Sequence, residues 1–449
     1  MFRLAALALL LLPTFAVAGD WIQWRGPEMT GAAPDADPPV SWSADGGKRT
    51  NIRWRAPIEG HGTAAPIVLG DRVFVLTAVD TGKVDPSLPK PEDQPKRVFG
   101  ITHPNTAYEF VVLCLDRATG QTLWRRVATE TIPHEGHHND ASFASASPVT
   151  DGERVYCFFG SAGLFAYSLD GDLLWRRDLG KAYVGASLGE GSTPAVHDGR
   201  LVIVRDHARQ STIHTLDAAT GQTLWEKDRD EPNAWATPLI VESAGRTQVI
   251  TAASNRVRSY DLDSGEIIWE CGGLTGNVTP CPVLRRGDDR EANGDTVFVM
   301  SGYEGFSLLA LPLDRTGDLT DSDAIRWRAS RGTPYVPSPV LMDGLLYFLQ
   351  SNQGVLSCLD AATGEEIVGR TRLEGLANVY ASPVAAPGRL YVTGRNGVTL
   401  TIATDGIRDR GAFETIATSR LDDRVDASPA IAGDALFVRG LRALYCIAE

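Results

Sequence analysis

A dipeptide of one small residue followed by proline recurs eight times ahead of an apolar run: Ala65-Pro66, Ser147-Pro148, Thr193-Pro194, Thr237-Pro238, Cys281-Pro282, Ser338-Pro339, Ser382-Pro383 and Ser428-Pro429. The successive spacings are 82, 46, 44, 44, 57, 44 and 46 residues. A unit of about 45 residues suits one four-stranded propeller blade. Self-similarity at that period overrides the usual expectation that a chain of 449 residues divides into several domains.

Each unit carries four short β-rich runs separated by hairpin signals. After Ser147-Pro148 they are Val149 with a turn at Asp151-Gly152, then residues 155–159, 164–169 and 173–177. The third turn and fourth strand share the pattern Asp-x-x-(Thr/Ser)-Gly-x-x-x-Trp, at 116–124, 217–225 and 261–269. Residues 360–364 repeat its first half, with Val368 in the tryptophan place. The aspartate caps a turn, the glycine takes the positive φ, and the outer-strand ring lies against the neighbouring blade. These tryptophans are read as packing residues rather than ligand contacts.

The last unit stops without its tryptophan strand, whereas Trp54-Arg55 has the form of Trp124-Arg125, Trp175-Arg176 and Trp327-Arg328 with no blade before it. The expected structure is all-β: one eight-bladed β-propeller over residues 19–449, of four-stranded antiparallel blades, with residues 51–57 as an N-terminal strand completing the C-terminal blade. Such closure leaves no long open sheet edge. Two insertions exceed the period. Residues 78–107 form a long excursion between the second and third strands of the first blade, and the His-rich residues 128–144 lead into the second.

Residues 1–18 read as a secretory signal, with Arg3 in a positive n-region, an apolar stretch over 5–12, and Ala16-Val17-Ala18 as cleavage site. The mature chain then starts at Gly19, with no cysteine at that site for a lipid anchor and no apolar run long enough for a transmembrane segment. A periplasmic or secreted protein is expected. Its formal charge of −13 argues against nucleic acid as a partner. Six cysteines stand singly, without a C-x-x-C pair. Cys114, Cys358 and Cys446 fall at one place in three repeats and are read as buried free thiols. Cys271 and Cys281, ten residues apart, are the plausible disulfide.

The Asp-x-x-Thr-Gly-x-x-x-Trp repeats resemble those of the PQQ (pyrroloquinoline quinone)-binding-like β-propeller family over nearly all of residues 20–449. Together with the opening Trp-Ile-Gln-Trp-Arg-Gly-Pro at 21–27, they are most similar to its secreted, BamB-like members. The resemblance implies two functions. BamB-like propellers are non-catalytic scaffolds in outer-membrane protein assembly, carried on a lipidated cysteine that this sequence lacks. The quinoprotein dehydrogenases use PQQ and Ca²⁺, with adjacent cysteines beside the cofactor, a carboxylate-and-amide calcium set and an aspartate base. No adjacent cysteines occur here.

Residues just before each small-Pro dipeptide should converge at the mouth of the central channel. His61, Asn139, Glu190, Trp235, Asn277, Tyr335, Tyr380 and Asp426 are therefore the candidate ligand contacts, with Asp140, Asn233 and Asn378 beside them. Aromatic faces mixed with amides and carboxylates suit a planar or polyhydroxylated ligand, or a merely wet channel. His134, His137 and His138 lie close to Glu135 and Asp140, a donor mixture able to take Zn²⁺ or Cu²⁺, although the spacing matches no helix-borne metal motif. Nucleophile-elbow, Walker and dinucleotide glycine patterns have no counterpart. Two functions remain in play: an exported binding or scaffolding propeller whose partner is an envelope protein or small molecule, and a PQQ- and Ca-dependent oxidoreductase acting on an alcohol or sugar.

Overall fold

The computed structural model describes residues 19–44, 49–95, 97–287 and 294–449; the expected signal segment 1–18 lies outside them. Among the described residues, eight sheets follow one another along the chain, each with four antiparallel strands. Blade two shows the unit: Val149–Thr150, Arg154–Phe158, Leu164–Ser168 and Leu173–Arg177, each paired with the next. Blade eight contributes Ala430–Ala432, Ala435–Arg439 and Ala443–Ile447, and its outer strand is Ile52–Pro57 from the N-terminal end, paired as Trp54↔Cys446 and Ala56↔Leu444. The ring closes as expected.

The small residue before each proline has a specific task. The Ala65 N–H donates to Ser147 Oγ at 2.9 Å and the Ser147 N–H to Thr193 Oγ1 at 2.9 Å; Thr193 continues to Thr237 Oγ1 at 3.2 Å, and Thr237 to Cys281 Sγ at 3.2 Å. Cys281 then donates to Ser338 Oγ at 3.0 Å, Ser338 to Ser382 Oγ at 2.8 Å, and Ser382 to Ser428 Oγ at 2.8 Å. Seven side chains thus link eight buried backbones into a belt around the channel. Proline suits the next position, since it holds the preceding residue extended and brings no N–H needing a partner on the channel edge. Ala65 has no hydroxyl, so the belt is open between blades eight and one, where the strand Ile52–Pro57 bridges them covalently.

The tryptophan motif works between blades. Trp54 Nε1 donates to Arg117 O at 2.9 Å, Trp124 to Leu169 O at 2.9 Å, Trp175 to Ala218 O at 3.1 Å, Trp225 to Leu262 O at 2.8 Å and Trp327 to Ala361 O at 3.3 Å. Each ring lies flush on the turn glycine of the next blade. A Cβ on Gly265 would stand 2.7 Å from the Trp225 ring, so this glycine is needed for the close approach as well as for its φ of +70°. Across the sheet the ring faces a small partner: Cys114 opposite Trp124, Cys446 opposite Trp54 and Ala166 opposite Trp175. The cysteines of the repeat thus make room for the indole. Trp269 departs from the pattern: its Nε1 bonds Gln248 Oε1 at 3.2 Å, and Gly317–Asp318 adds a short parallel strand beside it.

Three expectations need correction. The excursion of blade one is narrower than residues 78–107, because Arg72–Val84 and Thr106–Asp116 continue their pairing to Val84↔Thr106 and leave 85–105 as the loop. The strand Thr122–Thr131 similarly takes in the start of 128–144. Cys271 and Cys281 are both buried free thiols, the latter engaged as a belt acceptor. A fourth feature was not foreseen. Residues 19–44 cross the far end of the channel: Trp21 bridges Val68 of blade one, Ile22 O accepts from Thr150 N of blade two, and Trp24 Nε1 reaches Cys281 Sγ of blade five at 3.1 Å. Arg25, fully buried, donates to Pro339 O and Pro383 O at 2.6 Å each, just past the belt in blades six and seven.

Truncating the docking ring, Trp225→Ala, is expected to destabilise by about 3–5 kcal/mol. Gly265→Ala, a single added methyl on the opposing turn, should lower the melting temperature in the same direction, with about 1–2 kcal/mol from the left-handed backbone alone before the clash is counted. Calorimetry of the two variants checks this, and a Gly265→Ala protein melting with the parent would mean that the ring does not rest on that glycine.

Candidate functional site

The belt and the N-terminal crossing line the inner end of a channel cavity of about 400 Å³, whose mouth lies where the inner strands begin. Trp24 and the belt side chains form its floor. Two kinds of loop supply the walls: the segment preceding each small-Pro dipeptide, and the turn between second and third strands, which a hairpin returns to the same face.

One wall is aromatic. Trp235 directs its N–H to Gly189 O at 2.7 Å, so it presents only its ring face. Tyr335 lies beside Tyr303, centroids 5.0 Å apart at 31°. Burial, then Tyr303, push the Tyr335 hydroxyl up, while a hydrogen bond with Asn277 acts the other way. The opposite wall is ionic. Tyr380 donates to Asp140 Oδ2 at 2.6 Å, Arg395 bridges Asp140 Oδ1 at 2.6 Å and Asp426 Oδ1 at 2.7 Å, and Arg424 holds Asp426 Oδ2 at 2.7 Å. The Arg395 guanidinium also lies 4.1 Å from the centre of the Tyr380 ring. Burial alone would raise the Asp140 carboxyl, but Tyr380 and Arg395 outweigh it and hold the group below its ordinary range. Burial and the Asp140 carboxylate together push Tyr380 up to about 12.

Of the expected contacts, Glu190, Trp235, Asn277, Tyr335, Tyr380 and Asp426 line the cavity, as does His138. His61 and Asn139 do not. His61 packs behind the rim, its ring 6.2 Å from that of His137, and burial depresses its pKa. Asn139 offers only its backbone carbonyl, to Arg424 at 3.4 Å, while its neighbour Asp140 points inward. The three histidines do not gather on a metal. His134 bonds Ala182 O at 2.7 Å, His137 bonds His138 O at 2.8 Å, and His138 lies 3.4 Å from Asp140. Each imidazole is thus turned to a different neighbour, and among the described residues no group of three or more His, Cys, Asp or Glu side chains is arranged to hold a metal ion.

Four cavity or network residues escaped the sequence reading. Tyr303 and Arg395 sit in turns between second and third strands, which carry no repeat pattern of their own. Trp24 belongs to the opening 21–27 segment, which lies outside the repeats and so has no position that the repeat period can assign. Phe99, from the blade-one excursion, overhangs the mouth with its ring edge-on to His138 at 5.3 Å. Phe99, Ala186, Ser187, Asn277 and Glu304, around this mouth, all have φ between 52° and 58°. Such backbone is sparse for residues with a side chain and collects where surrounding structure holds a site in shape.

Fold and cavity together define a PQQ-repeat β-propeller with a central pocket. The chain belongs to the family described as outer membrane protein assembly factor BamB, whose model matches residues 109–325 and 313–444. No curated protein matches. Among solved structures, a europium-containing methanol dehydrogenase has 9% identity and a TM-score of 0.61, with 95% of this chain and 91% of that chain covered. The quinohemoprotein alcohol dehydrogenase of Comamonas testosteroni has 10% identity and a TM-score of 0.64, covering 97% and 82%. The computationally designed Ika8 protein has 13% identity and a TM-score of 0.53, covering 87% and 99%. At such identities these likenesses speak to the fold alone.

Glu190 yields a pH test. Burial raises its pKa, opposed by the hydrogen bond from Ser161 N at 2.8 Å and by Arg205. A raised folded pKa means that the group's stabilising contribution is complete below the ordinary glutamate pKa of about 4.3 and is lost as pH rises through the higher folded value. Glu190→Gln should therefore melt progressively higher relative to the parent as pH goes from about 4 to 7. A difference that does not change with pH would contradict the assignment.

Proposed function

We propose that this chain is a non-catalytic binding or scaffolding propeller of the cell envelope, receiving a small molecule or a segment of an envelope protein at the channel mouth. The observation that carries the reading is the internal pairing of the cavity's charges. Asp140 and Asp426 are held by Arg395, Arg424 and Tyr380, and Glu190 is held by Ser161 and Arg205. What is left facing the cavity is the aromatic wall of Trp235, Tyr303 and Tyr335 with the belt hydroxyls below, surfaces that bind by shape and stacking. The family description as an outer membrane assembly factor and the signal-like residues 1–18 support an envelope location, and no helix among the described residues is long and apolar enough to cross a membrane.

The second reading, a quinoprotein oxidoreductase, draws on the dehydrogenase fold likeness. The residues present do not fit its cofactors. The cavity carboxylates that would ligate calcium are already bound to guanidinium groups, and the cysteines stand singly, Cys281 with its sulfur engaged by Thr237 N–H and the Trp24 indole. Titrating the protein with PQQ and CaCl₂, followed by absorbance and by alcohol- or glucose-dependent dye reduction, should give neither saturable binding nor turnover. Saturable uptake with turnover would overturn the proposal in favour of the oxidoreductase.

A further inference from the structure

Outside the mouth, blades seven and eight enclose an open cleft of about 550 Å³ on the far side of the Arg395–Arg424 wall. Its lining brings together Arg395, Arg420, Arg424 and Arg442 with Asp422 and Asp423. This is an unusual concentration of guanidinium for a chain of net charge −13. Two of the nearby carboxylates, Asp423 and Asp426, are already engaged. Asp426, behind the wall, takes Arg395 and Arg424, while Asp423 accepts from Arg442 N at 3.0 Å, Arg442 Nε at 3.4 Å and Tyr445 OH at 3.2 Å. Asp422 is fully exposed and 3.8 Å from Arg442, too hydrated to neutralise it. Arg420, at the end of the strand Glu414–Arg420, has no hydrogen bond or ion pair from its guanidinium among the described residues.

A second feature is tied to the cleft through Asp423. Arg439 is 1% exposed, and none of its three guanidinium nitrogens has a hydrogen-bond partner. The opposite charge acting on it is Asp423, the carboxylate already shared by Arg442 and Tyr445. Burial without a dedicated counter-ion holds Arg439 down to about 10. One carboxylate thus serves two guanidinium groups and a hydroxyl, and the cleft keeps an excess of positive charge next to a desolvated arginine.

We propose that this cleft binds a tetrahedral oxyanion, a phosphate or sulfate group, through Arg420 and Arg442, with Arg424 at its inner edge. Guanidinium forks pair with oxyanions through two parallel N–H···O bonds. Arg442 already gives its Nε to Asp423 and its Nη2 to Asp422 O, so the free donors are the Arg420 fork and Arg442 Nη1, arriving from two blades; a tetrahedral anion can take them from different directions, whereas a carboxylate accepts in a single plane. The assignment stands whatever occupies the mouth. A free anion and the phosphate group of a small ester share this chemistry, and the ester would extend past Arg424 toward the cavity.

The test is calorimetric and ³¹P NMR titration of the intact protein with inorganic phosphate, sodium sulfate and glucose 6-phosphate, at ionic strength fixed with chloride. Saturable phosphate or sulfate binding is expected, weakened at least tenfold in Arg420→Gln and further in Arg420→Gln/Arg442→Gln. Tighter binding of glucose 6-phosphate than of phosphate would mark an ester as the ligand, and equal binding a free anion. Because the Arg420 guanidinium makes no hydrogen bond or ion pair among the described residues, its single substitution decides the matter if the double variant fails to fold. Phosphate behaving like chloride, or Arg420→Gln binding as the parent does, would overturn the proposal.

Discussion

The structure depends on a hydrogen bond repeated seven times: a backbone N–H of one blade donating to the hydroxyl or thiol of the next, immediately before a proline. Each such N–H is buried at the channel floor, where leaving it unmade would cost about 1–3 kcal/mol. Satisfying it requires the neighbouring blade to stand at one distance and one height. The tryptophans act on the outer side in the same way, each fixing its blade against the turn glycine of the next. Inner belt and outer rings together set the blade positions without involving the mouth, which leaves the mouth loops free to differ between repeats.

That division explains why chemistry collects where it does. The N-terminal crossing, anchored by the buried Arg25 on two carbonyls, spans one end of the channel. Among the described residues, the cavity's aromatic and ionic side chains gather at the other end. There the loops alternate between aromatic faces from blades four to six and a paired ionic wall from blades seven and eight, with Asp140 reaching across from the His-rich segment to join the latter. The ionic wall then serves two faces, closing the mouth cavity on one side and backing the arginine-lined cleft on the other.

Much of this was legible because repeats report their own constraints. Ser, Thr or Cys before proline at a period near 45 marked the inner strands, and Asp-x-x-Thr-Gly-x-x-x-Trp marked the outer ones. Trp54, out of place in the chain, revealed the closure. Contacts that follow from a single blade were therefore predictable, and six of the eight proposed mouth residues do line the cavity. What failed depends on relations between distant segments. The pairing of Arg72–Val84 with Thr106–Asp116 runs beyond the blade because two excursion arms happen to continue a ladder. Cys281 looked free to bridge Cys271 only while its place in the belt was unknown. The histidines of 134–138 are neighbours in sequence, yet each imidazole bonds to what the fold puts beside it. Trp24 and Arg395 needed the path of the chain across the channel and the pairing between blades, which no local pattern encodes.

Hydrogen exchange at the belt amides tests the central claim most directly. If this ring of bonds organises the propeller, the N–H groups of Ala65, Ser147, Thr193, Thr237, Cys281, Ser338 and Ser382 should exchange only through global unfolding, as one cooperative set. The amides of the 85–105 excursion and the mouth loops should exchange far faster. Belt amides that exchange at the rate of those loops, or blade by blade with unequal stabilities, would contradict the account.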